Sequence, residues 1–150
     1  MVVIYLEFIS IMATGLLAGA LLTEACILVP YWQKMPAKTF LRLHHKMAPS
    51  LFRYFAPLTV IGTLLPIITF IFVYSTSKAS WPAWLLSAIC AVCLLSFYLL
   101  FFRQANNRFS TTTDPEIAAK TLAAWAKVHM IRTLIAIVGF SAAIWGGMPI

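Results

Sequence analysis

The 150 residues are 62% hydrophobic and 10% charged, with a mean hydropathy of +0.92, whereas an ordinary soluble domain carries roughly 25% charged residues. This composition excludes a soluble globular enzyme and predicts an integral membrane protein: spans of about 20 apolar residues fit four times with short connections, as a single domain with no separate soluble catalytic part. The net charge of +7 comes from Lys and Arg between the apolar runs, which is the pattern of membrane topology and excludes a nucleic-acid-binding domain.

The first span is expected over Phe8 to Pro30. Ahead of it, MVVIYLEFIS lacks the basic region of a signal peptide, and Glu24 interrupts the LLTEAC that would precede a lipoprotein cysteine at Cys26, so a retained helix is expected. Gly15, Gly19 and Thr23 form a small-residue stripe that suits close helix approach, either within the chain or as the seam of a homo-oligomer. The following connection, KTFLRLHHKM, predicts a short amphipathic helix between the first and second spans. Lys38, Arg42 and Lys46 fall on one face, and Phe40 and Met47 on the other. His44 sits beside the apolar face and His45 nearer the lysines.

The second span, Ser50 to Tyr74, begins near Arg53 and Tyr54. It contains Pro57, Gly62 and Pro66, which can bend it and open space in the bundle. After a loop carrying Lys78 alone, the third span covers Trp81 to Phe102. Its Cys90 and Cys93 have C-x-x-C spacing, but mid-span and away from any helix N-terminus that would stabilise a thiolate, so they read as packing residues. The fourth span, Trp125 to Trp145, is expected to start as a helix well before the bilayer, because Thr113 and Glu116 have capping-box spacing and Pro115 suits a first turn. The class is therefore all-α, a polytopic bundle of four transmembrane helices. With the basic residues concentrated in the two long connections, the positive-inside rule places those connections in the cytoplasm of a bacterial plasma membrane and both termini outside.

Depth brings the polar residues together. At 1.5 Å per residue, Glu24 lies about 9 Å inside Pro30, Arg132 about 10 Å inside Trp125 and His129 about 6 Å inside. Trp125, His129 and Arg132 recur at i, i+4 and i+7 and share one face. Because a charge at bilayer depth costs at least about 2.5 to 3.5 kcal/mol, such residues face the bundle interior and find partners. A Glu24 to Arg132 ion pair is the minimal expectation. It would fix helix register by itself, yet two or three convergent histidines are more polarity than register requires. The site expected is a pocket in which Glu24, His44, His129 and Arg132 act on an apolar molecule held by Phe40, Arg53, Tyr54, Phe55 and Trp125.

An acid-bearing first span ending in ILVPYW, then F-x-x-x-HH before the second span, then W-x-x-x-H-x-x-R-T at the fourth resembles the anthrone-oxygenase-like family of small four-helix membrane proteins. Many members carry asparagine at the position of His129. The resemblance implies oxygenation of a polycyclic phenolic substrate to a quinone, with Trp125, His129, Arg132 and one of His44 or His45 carried over by motif. Chemically, a base such as His44 or His129 would deprotonate a phenol or an anthrone carbon, and Arg132 would stabilise the resulting anion, which could react with dioxygen without a metal. Two other readings stay open. His44, His45 and His129, helped by Glu24, Met47 or Met130, could ligate haem, copper or iron, or the chain could be a non-enzymatic carrier or assembly component.

Overall fold

In a computed structural model, described over residues 1–148, the chain forms four long helices: α1 Val2–Lys34, α2 Ala37–Ser75, α3 Trp81–Thr111 and α4 Pro115–Gly147. Each is long and apolar enough to cross a membrane, and no strand occurs among the described residues. The fold is an all-α four-helix bundle of membrane type. At 1.5 Å per residue, these helices of 31 to 39 residues run about 46 to 58 Å, well beyond a hydrocarbon core of about 30 Å. They therefore project from the bilayer.

The projection corrects one expectation: no separate amphipathic helix lies between the first two spans. KTFLRLHHKM is the upright N-terminal part of α2, which continues through Pro49, Pro57 and Pro66. The faces fall as the 3.6-residue period requires, with Lys38, Arg42, His45 and Lys46 exposed, Phe40 buried and His44 turned inward. The start of α4 is also corrected. Its N-cap is Asp114, not Thr113: the Asp114 carboxylate accepts the Glu116 amide at 2.8 Å, while Glu116 pairs with Lys120 instead of reaching back. Pro115 occupies the first turn as expected.

Each helix packs antiparallel against its two sequence neighbours, and α4 closes the ring against α1, with little contact across the diagonal. Small residues set the approach. A Cβ on Gly62 would lie 2.8 Å from Leu17, one on Gly15 2.8 Å from Phe140, and one on Gly139 2.9 Å from Cys90. The small-residue stripe of the first span is thus divided: Gly15 packs within the chain, whereas Gly19 has nothing near it and Thr23 is exposed. Cys90 fills the gap beside Gly139, and all three cysteines are free thiols.

Met1, the end of α4 and the α2–α3 turn share one end of the bundle, where a Ser10 to Thr69 hydroxyl bond of 2.6 Å and a Glu7 to Lys78 ion pair of 2.8 Å tie α1 to α2 and to the turn. Of 11 Lys and Arg residues, only Lys78 belongs to this end. At the other end the projecting helices enclose a second core, rich in aromatic rings and built from Trp32, Phe40, Phe102, Phe109, Leu122 and Trp125.

Candidate functional site

Two helices depart from α geometry at the depth where that aromatic core meets the bundle. In α1 the Val29 amide donates to Glu24 O, five residues back, and in α3 the Arg103 amide donates to Tyr98 O. Such π-turns widen a helix by one residue per turn. The first has a cause in sequence: Pro30 has no N–H to give the carbonyl of Cys26 and would clash with it in a regular α turn. The segment Tyr98–Phe102 carries no comparable signal. Together the two turns present Glu24 from α1 and Tyr98, Leu99 and Phe102 from α3 to one cavity.

The cavity has a volume of about 950 Å³, near the upper end of the range of small-molecule sites. It lies mainly in the seam between α2 and α3, beginning at Thr59 and Val60, just beyond the tight approach at Gly62, and running past Leu51, Phe52 and Phe55 toward His44 and Phe109. Glu24 and Arg132, both buried, form part of the wall at its membrane end, and Arg103, Gln104, Asn106, Asn107 and Ser110 form a polar rim at the other. Trp125 stands between them, its indole N–H donating to Asn106 Oδ1 at 3.1 Å.

The four expected acting residues are distributed unequally. Glu24, Arg132 and His44 line the cavity. His129 does not: it is fully buried behind Trp125, its ring stacked on the indole at 4.7 Å between centroids and 14° between planes. That stacking occupies the indole face on which a flat ligand would have rested. The His129 Nε2–H donates to Leu21 O at 3.2 Å and stands 3.6 Å from Glu24 Oε2, while Thr133 Oγ1 donates to the His129 carbonyl at 2.9 Å. The imidazole thus stands behind the Glu24 carboxylate without hydrogen-bonding to it, its one Nε2–H being given to Leu21 O. His44 sits higher, with its ring centroid 5.7 Å from Phe40 and 5.1 Å from Phe109.

The direct Glu24 to Arg132 ion pair expected from depth is not formed. Both reach the same wall, as the depth argument required, but the carboxylate's nearest basic atom is His129 Nε2, and the Arg132 guanidinium lies over the Phe102 ring at 4.9 Å, a cation–π contact. Arg132 Nε, His44 Nδ1 and His129 Nδ1 are buried without a hydrogen-bond partner in the protein. Of these only the Arg132 Nε–H is a donor in every protonation state, since His129 Nδ1 is the unprotonated nitrogen once Nε2–H is given to Leu21 O; an unpartnered buried donor is rare. Phe40, Phe55 and Trp125 line the cavity as expected, whereas Arg53 and Tyr54 do not. The cavity face of α2 follows positions 48, 51, 52, 55, 56 and 59, and the intervening positions 53 and 54 turn outward and are exposed.

His45 is exposed, and among the described residues no three His, Cys, Asp or Glu side chains gather as a metal site. The three-histidine ligand set is therefore not assembled. Residues that sequence reasoning passed over include Tyr98, Asn106 and Arg103. Tyr98 and Phe102 share an i, i+4 face, but only the position of the cavity gives that face a meaning. Comparison with protein-family models, with curated proteins and with solved structures finds no match.

Proposed function

We propose that the protein is an integral membrane oxidoreductase that oxygenates an apolar phenolic, quinol or anthrone-like molecule in the cavity between α2 and α3. The observation that carries the reading is the pairing of an aromatic-walled space of about 950 Å³ with a buried, unpaired arginine and a buried carboxylate on the same wall. A purely structural ion pair would have closed on itself. The resemblance to anthrone-oxygenase-like proteins agrees with this substrate class.

Geometry changes the assignment of the base. Glu24, on the wall with Arg132 and with the His129 ring packed behind it, takes the proton from the substrate's phenol or acidic CH₂, and Arg132 balances the negative oxygen that develops as the charge delocalises. The carbanion gives its electron pair to dioxygen. On an anthrone, or a phenol with a ring C–H to lose, the proton held by Glu24 returns to form a hydroperoxide, and loss of water leaves a carbonyl, so one oxygen atom enters the product and the other leaves in water; a quinol instead passes two electrons and two protons to dioxygen and leaves as quinone, with hydrogen peroxide. His44 and the polar rim contact the opposite end of the molecule. In the membrane, the nine Lys and Arg residues gathered at the cavity end, Lys78 and the intramembrane Arg132 apart, favour a cytoplasmic placement of that end, with both termini outside a bacterial plasma membrane.

The test is dioxygen uptake by the purified protein in nanodiscs with an anthrone or a quinol. One dioxygen consumed per carbonyl formed is expected with anthrone, and Arg132→Gln or Glu24→Gln lowers kcat about 100-fold. Lys127→Ala, on an exposed face, leaves turnover unchanged. Full turnover in Arg132→Gln would refute the assignment, and tight binding without any oxygen uptake would make the protein a carrier.

A further inference from the structure

We infer that the occupant of this cavity is an amphiphile, a phenol or quinol bearing a long alkyl or prenyl chain, and that it arrives sideways from the bilayer through the α2–α3 seam. The inference rests on the proposed site and specifies its substrate class. Three side chains that line the cavity also face the outside: Phe52 is 63% exposed, Val60 50% and Leu99 50%. A side chain that is part of the cavity wall and also open to the exterior marks a mouth, and this mouth is wholly apolar.

Its depth identifies the medium that it opens to. Tyr74 and Trp81, edge to face at 5.8 Å, mark the far interface as an aromatic belt does. At 1.5 Å per residue, Val60 lies about 21 Å from Tyr74 and Leu99 about 27 Å from Trp81, both within a hydrocarbon core of about 30 Å. The part of the mouth at Val60 and Leu99 therefore faces lipid tails, and Phe52, about 33 Å from Tyr74 by the same measure, sits at the near interface. Measured the same way from Trp145, Arg132 lies about 20 Å deep, level with Val60. A polar ring that enters at this level meets the guanidinium and the Glu24 carboxylate directly, and an attached chain stays in the bilayer without turning. A compact, water-borne molecule would instead use the rim at Arg103, Gln104 and Asn107, and would leave the lipid-facing apolar opening without a purpose.

The test uses 2-methylnaphthalene-1,4-diol with and without a decyl chain, bound under anaerobic conditions to the full chain in nanodiscs, with binding to empty nanodiscs subtracted. The decyl compound is expected to bind at least about tenfold tighter after that correction, and Val60→Trp or Leu99→Trp, which narrow the mouth, to remove the advantage. Because either variant could perturb folding, a second measurement uses the wild-type protein: a diazirine at the end of the decyl chain should crosslink to Phe52, Val60 or Leu99. Equal affinity of the two compounds, with the chain-end label on rim residues, would overturn lateral access while leaving the cavity as the site. Absence of binding by either compound would overturn both.

Discussion

His129 shows how an ionisable residue inside a membrane helix is satisfied without touching a ligand. The sequence placed it on the face shared by Trp125 and Arg132, and that face does turn inward. What spacing could not show is that i, i+4 neighbours meet each other first: the imidazole lies flat on the Trp125 indole and donates to Leu21 O, so it packs behind Glu24, outside the cavity. His129→Ala should therefore do two things. Truncating a fully buried ring that holds a hydrogen bond should destabilise the protein by about 2 to 4 kcal/mol, and the loss of packing behind Glu24 should lower kcat more than it raises KM. His129→Asn, which keeps a donor, should recover part of kcat. An unchanged kcat in a folded His129→Ala protein would separate the imidazole from the chemistry. Lys78 is the complementary case: a lone cation in a short loop gives no sign of its partner, because Glu7 is 71 positions away and periodicity carries no tertiary neighbours. Thermal unfolding should show Lys78→Ala destabilising by about 1 to 3 kcal/mol, since Glu7 is left buried without a partner while the lysine itself is only partly covered. Lys127→Ala should be close to neutral.

At the scale of elements, the four apolar runs were legible because length and hydropathy define a span almost alone. Their ends were not. Composition marks where a helix enters water but not where it stops, so α1, α2 and α3 all run beyond the expected spans, and Pro49 failed to separate the amphipathic stretch from the second span. The π-turn at Glu24–Leu28 has a visible cause in Pro30, whereas that at Tyr98–Phe102 depends on packing that no local pattern reports. The glycines divide in the same manner. Gly62 and Gly19 look alike in sequence, yet only the first sits in a close helix approach. Gly62→Leu should therefore lower stability by about 1 to 3 kcal/mol through overpacking against Leu17, and Gly19→Leu should leave the melting temperature of the single chain within about a degree of wild type. Equal effects would mean that α1 and α2 do not pack through Gly62.

For the molecule as a whole, the two ends differ in chemistry. One is small, with Met1, the end of α4, a short turn and the Glu7 to Lys78 ion pair; the other carries nine of the 11 cations, the aromatic core and the cavity, with Arg132 deeper in the span. In a background with its three cysteines replaced by alanine, a cysteine at Ser77 should react with an impermeant maleimide applied outside intact cells, and one at Asn107 should not. The reverse result would invert the proposed orientation. The level at which polar residues meet was legible from depth alone; the space between α2 and α3 was not, because it depends on where α2 leaves α1 beyond Gly62. That space is the centre of the functional account, and the most direct test is an experimental density map of the protein isolated with its native lipids. The account expects elongated density running from the Arg132 guanidinium and the Glu24 carboxylate out between Val60 and Leu99. A map in which Phe52 and Phe55 close onto Leu99 and Phe102, with Arg132 paired directly to Glu24 and no space between, would contradict it.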